Sequence, residues 1–122
     1  MTRATRILVV EDDESIRELI DLVLSSAGYE VVTAENGAFA LQVIDGARPD
    51  LILLDMRMTV MDGWEFARRY RASPEPHAPI VVVTAARDAA ERAAEIHANG
   101  FLGKPFGVDE LLALVGNHTR RV

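Results

Sequence analysis

Cysteine is absent from this chain of 122 residues, aromatic residues make up only 6%, and acidic residues outnumber basic ones by 19 to 13. Without thiols the protein has no disulfides, no thiolate metal site and no cysteine nucleophile. A net charge of -6 has the wrong sign for neutralising a phosphate backbone, so we expect no direct nucleic-acid binding. The sequence also lacks a membrane-spanning apolar run and a secretory signal, and we therefore expect a cytoplasmic protein without membrane insertion.

The hydrophobic residues form two alternating patterns along the chain. Short runs rich in branched residues predict five strands, at residues 7–10, 30–34, 51–54, 80–83 and 101–102. Apolar residues spaced by three and four predict helices between and after them, at residues 16–24, 38–44, 64–71, 88–97 and 108–119. This alternation indicates an α/β doubly wound parallel sheet with helices on both faces, in a single domain covering residues 1–122.

Two segments have unusual composition. The predicted helix at residues 88–97 has mostly alanines at its apolar positions, so we expect it to be loosely attached and mobile. Residues 73–79 contain three of the five prolines and are predicted to be a loop inside the domain.

Polar residues stand at the ends of four predicted strands. An acidic run that begins at Glu11 and Asp12 follows the first strand, and Asp55, Thr84 and Lys104 follow the third, fourth and fifth. In open α/β sheets a ligand binds outside the carboxyl ends of the strands, where the strand order reverses. Carboxylates after the first and third strands imply that these are neighbours, which gives the order 2-1-3-4-5.

Carboxylates that converge on one crevice repel one another unless a cation lies among them. Oxygen ligands without histidine or cysteine suit Mg²⁺, and the three histidines show no metal-ligand spacing. A metal, a lysine and a hydroxyl around one carboxylate indicate phosphoryl transfer, with Asp55 as the nucleophile that forms an aspartyl phosphate. Mg²⁺ and Lys104 would offset charge on the transferring oxygens, and Thr84 would donate a hydrogen bond to one of them.

Four segments resemble the signature segments of response regulator receiver domains: ILVVEDDESIR, LILLDMRMTVMDG, VVVTAARD and GFLGKPF. Together with their spacing they cover nearly the whole chain. The resemblance implies a flavodoxin-like (βα)5 sandwich with a five-stranded parallel sheet, and it implies a role in phosphorelay signal transduction by a two-component system.

The resemblance also assigns a role to individual residues around the phosphoacceptor. The phosphoacceptor falls on Asp55, and the acidic pair falls on Glu11 and Asp12, of which Asp12 is expected to bind the metal directly. The third protein ligand of the metal would be the backbone carbonyl of Arg57. One residue departs from the family's pattern, because Thr59 stands where a proline is usual, and this puts the stiffness of its loop in doubt.

The remaining implied roles concern switching. The conserved hydroxyl falls on Thr84, the lysine on Lys104 and the switch aromatic on Phe101, and a cis peptide is implied between Lys104 and Pro105. On phosphorylation Thr84 would move toward the phosphate and Phe101 would rotate into the vacated space, changing the surface of the fourth helix, fifth strand and fifth helix.

The implied partners are a sensor histidine kinase or histidine phosphotransfer protein upstream and an effector protein downstream. The domain would be a phosphoacceptor that assists its own phosphorylation and dephosphorylation, and not a classical enzyme. Whether it acts alone or belongs to a longer protein is left open by the sequence.

Several alternatives compete with this interpretation. Taken alone, the acidic run is typical of a helix N-terminus, where Ser15 and Glu18 would form a capping box. A phosphatase of the haloacid-dehalogenase type needs a second aspartate at the position of Arg57 and a cap domain, and a flavin-binding module needs a phosphate-binding loop that this chain lacks. The runner-up is a receiver-fold interaction module that does not accept phosphate.

Overall fold

The structure is a computed structural model that describes residues 3–119, and its elements alternate as the sequence predicts. The strands are β1 (Arg6–Val10), β2 (Glu30–Ala34), β3 (Leu51–Leu54), β4 (Ile80–Ala85) and β5 (Gly100–Lys104). The helices are α1 (Glu14–Ser26), α2 (Gly37–Ala47), α3 (Gly63–Ala72), α4 (Ala86–Glu95) and α5 (Val108–Thr119). Residues 73–79 form the predicted loop between α3 and β4. None of the helices within residues 3–119 is long and apolar enough to cross a lipid bilayer.

All five strands run parallel in the order β2-β1-β3-β4-β5, which confirms the predicted order. Strand β1 pairs with the central strand β3 from Ile7 opposite Leu51 to Val10 opposite Leu54. The chain leaves β1 toward β2 on one side and reaches β3 on the other, so the strand order reverses between β1 and β3. The carboxyl ends of these two strands therefore flank the crevice in which a doubly wound sheet binds its ligand.

The core has two layers, one on each face of the sheet. Successive side chains of β1 point to opposite faces, so Ile7 and Val9 pack beneath α1 and α5, while Leu8 and Val10 pack beneath α2 and α3. All four side chains are at most 1% exposed. Burial on both faces explains why the strand shows no alternation of polar and apolar residues.

Three strands are longer than predicted: β1 begins one residue earlier, at Arg6, and β4 and β5 end later. Thr84 pairs with Gly103 and Ala85 pairs with Lys104, so β4 and β5 continue to the residues that were expected to follow them. The hydrophobic pattern underestimated their length because the last residues of both strands are polar or small. Thr84 and Lys104 consequently have positions set by the register of the sheet instead of by a loop.

The capping box of Ser15 and Glu18, weighed as an alternative for the acidic run, does not start α1. The helix begins at Glu14, and the side chain of Asp13 accepts a hydrogen bond from the backbone N–H of Ile16 at 3.0 Å. Aspartate is among the most favourable N-cap residues, so it caps the helix two residues before Ser15. Asp13 thus serves the helix, whereas Glu11 and Asp12 remain at the end of β1.

The alanine-rich helix α4 begins at Ala86 without a side-chain cap, and its buried residues are Ala89 and Ala93. Its C-terminal end is tied to α3, because the Arg71 guanidinium donates hydrogen bonds to the carbonyls of Ile96 and His97. The small buried face matches the sequence analysis, and the mobility of α4 stays a prediction.

Gly63, the first residue of α3, lies against the backbone that follows β3. A Cβ added there would lie 2.7 Å from the carbonyl oxygen of Asp55 and 2.8 Å from the Cα of Met56. We expect Gly63→Ala to lower the free energy of unfolding by about 1–3 kcal/mol, because the backbone on either side must shift. Denaturation with urea measures this change.

Gly46 in α2 provides the matched control, since a Cβ added there meets nothing within 4 Å. Gly46→Ala should be neutral or stabilise the protein by up to about 1 kcal/mol, because alanine favours the helix. A Gly63→Ala variant that unfolds at the same urea concentration as Gly46→Ala would contradict the packing described for α3.

Candidate functional site

The backbone at the carboxyl edge of the sheet places two acidic residues side by side. The N–H of Glu11 donates to the carbonyl of Ala34 at 3.0 Å, and the N–H of Asp55 donates to the carbonyl of Val10 at 2.9 Å. Both residues therefore continue the parallel pairing by one step beyond β1 and β3. Their positions are fixed by backbone hydrogen bonds and not by the side chains themselves.

Three carboxylates meet at this edge, in what we call the acidic crevice. One carboxylate oxygen from each of Glu11, Asp12 and Asp55 lies within 4.8 Å of the others. Glu11 is 2% exposed and Asp55 is 6% exposed, whereas Asp12 lies at the surface. The structure thus brings together the carboxylates that the sequence predicts to converge.

Lys104 supplies a positive charge to the acidic crevice. Its Nζ lies 2.6 Å from Oε1 of Glu11 and 3.5 Å from Oδ2 of Asp55. The sequence analysis expected Lys104 near Asp55, but the closer partner is Glu11. One ammonium group faces three carboxylates, so the described side chains leave an excess of negative charge.

The pKa values of the crevice residues respond to this arrangement. Burial and the neighbouring Asp55 raise the pKa of Glu11 to about 7, although Lys104 acts in the opposite direction. Burial alone would lower the pKa of Lys104, but the carboxylates of Glu11 and Asp55 outweigh it and raise that pKa. The raised pKa values of the two residues are consistent with each other. At the high pH at which Lys104 loses its proton, Glu11 is already ionised and stabilises the charged lysine.

Of the other predicted site residues, Thr84 and the Lys104–Pro105 peptide lie at the carboxyl ends of β4 and β5, whereas Phe101 lies near the start of β5. Thr84 is buried at the end of β4, two residues beyond Val82, which pairs with the last residue of β3. Phe101 of β5 is 49% exposed and points outward. The peptide between Lys104 and Pro105 is cis, as the resemblance implied.

The loop between β3 and α3 is held by backbone hydrogen bonds. The N–H of Met61 donates to the carbonyl of Thr59 at 2.7 Å, and the N–H of Gly37 donates to the carbonyl of Met61 at 3.1 Å. The N–H of Gly63 closes the loop onto the carbonyl of Met56 at 2.9 Å. These bonds connect the loop around Thr59 to α2 and α3, and its stiffness without proline stays a prediction.

The sequence analysis missed two contributors to the site. Arg17 of α1 donates to the carbonyl of Glu11 at 2.9 Å and so holds the end of β1. The backbone N–H of Asp13 also donates to Oε2 of Glu11 at 3.2 Å. The sequence shows that Arg17 is a basic residue near the start of α1. No motif specifies which group its long side chain contacts.

The ligand types in the acidic crevice fit a hard divalent cation. All three side chains offer carboxylate oxygens, which Mg²⁺ and Ca²⁺ prefer, and the cluster includes no histidine or cysteine. Two of the carboxylates are buried, and a cation between them would offset their repulsion.

Comparison with known proteins agrees with this geometry. The family model of the response regulator receiver domain matches residues 7–116. The response regulator MprA from Mycobacterium sp. (strain KMS) is 42% identical over 118 residues, which is 95% of this chain and 51% of that protein. The chain therefore spans about half the length of the named relatives that it matches.

Solved structures show the same similarity. The chemotaxis response regulator CheY4 of Vibrio cholerae superimposes with a TM-score of 0.85 at 34% identity, covering 94% of this chain and 98% of that one. The receiver domain of NtrX from Brucella abortus gives a TM-score of 0.84 at 30% identity, covering 93% of this chain and 97% of that one. With a family match over nearly its whole length and an acidic crevice at the expected strand ends, the chain belongs to the response regulator receiver domains of two-component signalling.

Proposed function

We propose that this receiver domain accepts a phosphoryl group on Asp55 in a Mg²⁺-dependent reaction. The observation that carries the proposal is the buried carboxylate of Asp55, which lies among Glu11, Asp12 and Lys104 at the carboxyl edge of the sheet. The donor would be a phosphohistidine of a sensor histidine kinase or a histidine phosphotransfer protein. A downstream effector protein would read the result.

Mg²⁺ would be held by the carboxylates of Glu11, Asp12 and Asp55 and by the backbone carbonyl of Arg57. When bound, it would neutralise part of the charge on the carboxylates and on the oxygens of the transferring group. The excess of negative charge in the acidic crevice supports this assignment, since Lys104 alone does not balance three carboxylates.

Asp55, Lys104 and Thr84 would each have one role in the phosphoryl transfer. An oxygen of Asp55 attacks the phosphorus in line, and the new P–O bond forms as the P–N bond to the donor imidazole breaks. The electron pair of that bond stays on the imidazole nitrogen. Lys104 Nζ, 3.5 Å from Asp55, offsets the charge on the phosphoryl oxygens, and the Thr84 hydroxyl donates a hydrogen bond to one of them.

The same residues would hold the water that later hydrolyses the aspartyl phosphate. The domain is therefore a phosphoacceptor that assists its own phosphorylation and dephosphorylation, and it turns over no separate substrate.

The readout would be a change at the surface formed by α4, β5 and α5. Thr84 would move toward the phosphoryl group, and Phe101 would rotate inward into the space that Thr84 leaves. The outward position of Phe101, which is 49% exposed while Thr84 on the neighbouring strand is buried, supports an unmodified starting state. The small buried face of α4 supports its displacement at low cost.

The phosphoacceptor assignment predicts loss of labelling in one conservative variant. Incubation with radiolabelled acetyl phosphate and Mg²⁺ should label the wild type and not Asp55→Asn, because the amide is not a nucleophile. Asp62→Asn is the matched control, because Asp62 caps α3 in the same loop region. This variant should still be labelled at Asp55. Equal labelling of wild type and Asp55→Asn would remove Asp55 from the mechanism.

The metal assignment predicts a stabilising effect of Mg²⁺. A cation that binds only the folded acidic crevice stabilises it by about 2.7 kcal/mol at a hundredfold excess over its dissociation constant, and so raises the melting temperature. Asp12→Asn should reduce this shift, while Asp45→Asn, an exposed position on α2, should keep it. Identical Mg²⁺ titrations of the Asp12 and Asp45 variants would contradict the assignment.

The raised pKa of Glu11 predicts an unusual pH dependence in the metal-free protein. Between 4.5, its ordinary value, and about 7, its folded value, the folded state keeps a proton that the unfolded chain has lost. Stability in a chelating buffer should therefore fall as the pH rises through this window. Urea unfolding at several pH values measures the slope, and Glu11→Gln should flatten it; an unchanged slope in that variant would assign the effect to another group.

A further inference from the structure

The side chain of Arg57 has a position that its expected backbone role does not explain. Arg57 is one of the residues that line a crevice of about 500 Å³, together with Asp55 and Lys104, and the residue is exposed. Its guanidinium carbon lies 5.8 Å from the centroid of the Trp64 ring. Within residues 3–119, this indole is the only group that the Arg57 side chain engages through a hydrogen bond, an ion pair or a ring contact.

Trp64 also has a second cation beside it. The guanidinium carbon of Arg92 in α4 lies 5.7 Å from the same ring, and the indole N–H donates to Oε1 of Glu95 at 2.9 Å. Arg92 itself is paired with two carboxylates, those of Glu91 and Glu95, each at 3.0 Å. Arg92 is therefore fixed and neutralised, whereas the charge of Arg57 meets only the ring.

A phosphoryl group on Asp55 would change this balance. It replaces the single charge of the Asp55 carboxylate with up to two charges, and it adds three acceptor oxygens in the crevice that Arg57 lines. A charge-assisted hydrogen bond from a guanidinium to such oxygens is stronger than a cation–π contact at an exposed site.

We propose that the side chain of Arg57 is a further phosphoryl-binding group, which rests on Trp64 in the unmodified domain and transfers to the phosphoryl oxygens when Asp55 is modified. This inference rests on the proposed function of Asp55. Trp64 is then a positioning residue, because it holds Arg57 beside the crevice. Its other contacts are with Arg92 and Glu95 of α4. When a phosphoryl group is present on Asp55, the indole would keep Arg92 beside it and lose Arg57.

Beryllofluoride with Mg²⁺, a stable mimic of the phosphoryl group, tests the first half of the proposal. Its binding is followed by the ¹⁹F NMR signal of the bound form, which does not depend on tryptophan. Arg57→Gln keeps the backbone carbonyl and should weaken the affinity about tenfold, the loss expected for one charge-assisted hydrogen bond. Arg57→Lys should recover part of it, and Arg92→Gln, which removes the other cation, should bind as the wild type does.

Fluorescence tests the second half, because Trp64 is the single tryptophan of the chain. Beryllofluoride should change the emission of the wild type and of Arg92→Gln, and the change should be largely lost in Arg57→Gln although the mimic is bound at higher concentration. A merely structural Arg57 would leave this spectroscopic response in place.

The outcomes separate the two levels of the account. Absence of the bound ¹⁹F signal in the wild type would overturn the proposed function and this inference together. Binding by the wild type with an equal affinity in Arg57→Gln, or an equal loss in Arg57→Gln and Arg92→Gln, would overturn only the role of the Arg57 side chain.

Discussion

Repulsion among the carboxylates of Glu11, Asp12 and Asp55 is the constraint on which the rest of this structure depends. Two of the three are buried, and one lysine faces them. Such a cluster lowers the stability of the folded chain unless a cation or a proton enters it. The same imbalance would favour the binding of a divalent cation, which the proposed phosphoryl transfer requires.

The burial of the sheet offsets the loss of stability that the clustered carboxylates cause. The strands that carry Glu11 and Asp55 are buried on both faces, and their last residues are fixed by backbone hydrogen bonds to neighbouring strands. Hydrophobic burial in two layers stabilises the scaffold, while the site occupies only its carboxyl edge. Of the elements that would respond to phosphorylation, α4 buries only two alanines along its length and Phe101 is half-exposed.

Much of this arrangement was predictable because strand ends and polar residues coincide in the sequence. The bounds of β2 and β3 match the prediction, and the convergence of Asp12 and Asp55 follows from the strand order. The ends of β4 and β5 were not predictable, because Thr84 and Lys104 are paired through the backbone and carry no hydrophobic pattern. Contacts such as Arg17 to Glu11 depend on the reach of a side chain, which residue spacing does not specify.

The central claim is that the acidic crevice makes Asp55 the acceptor of a phosphoryl group. Reduction with borohydride converts an aspartyl phosphate to homoserine, and mass spectrometry of the digested protein locates the converted residue. After reaction with a phosphohistidine donor and Mg²⁺, the account predicts homoserine in place of Asp55 and at no other aspartate. Conversion at Asp12 or Asp62 instead, or no conversion under conditions that consume the donor, would contradict it.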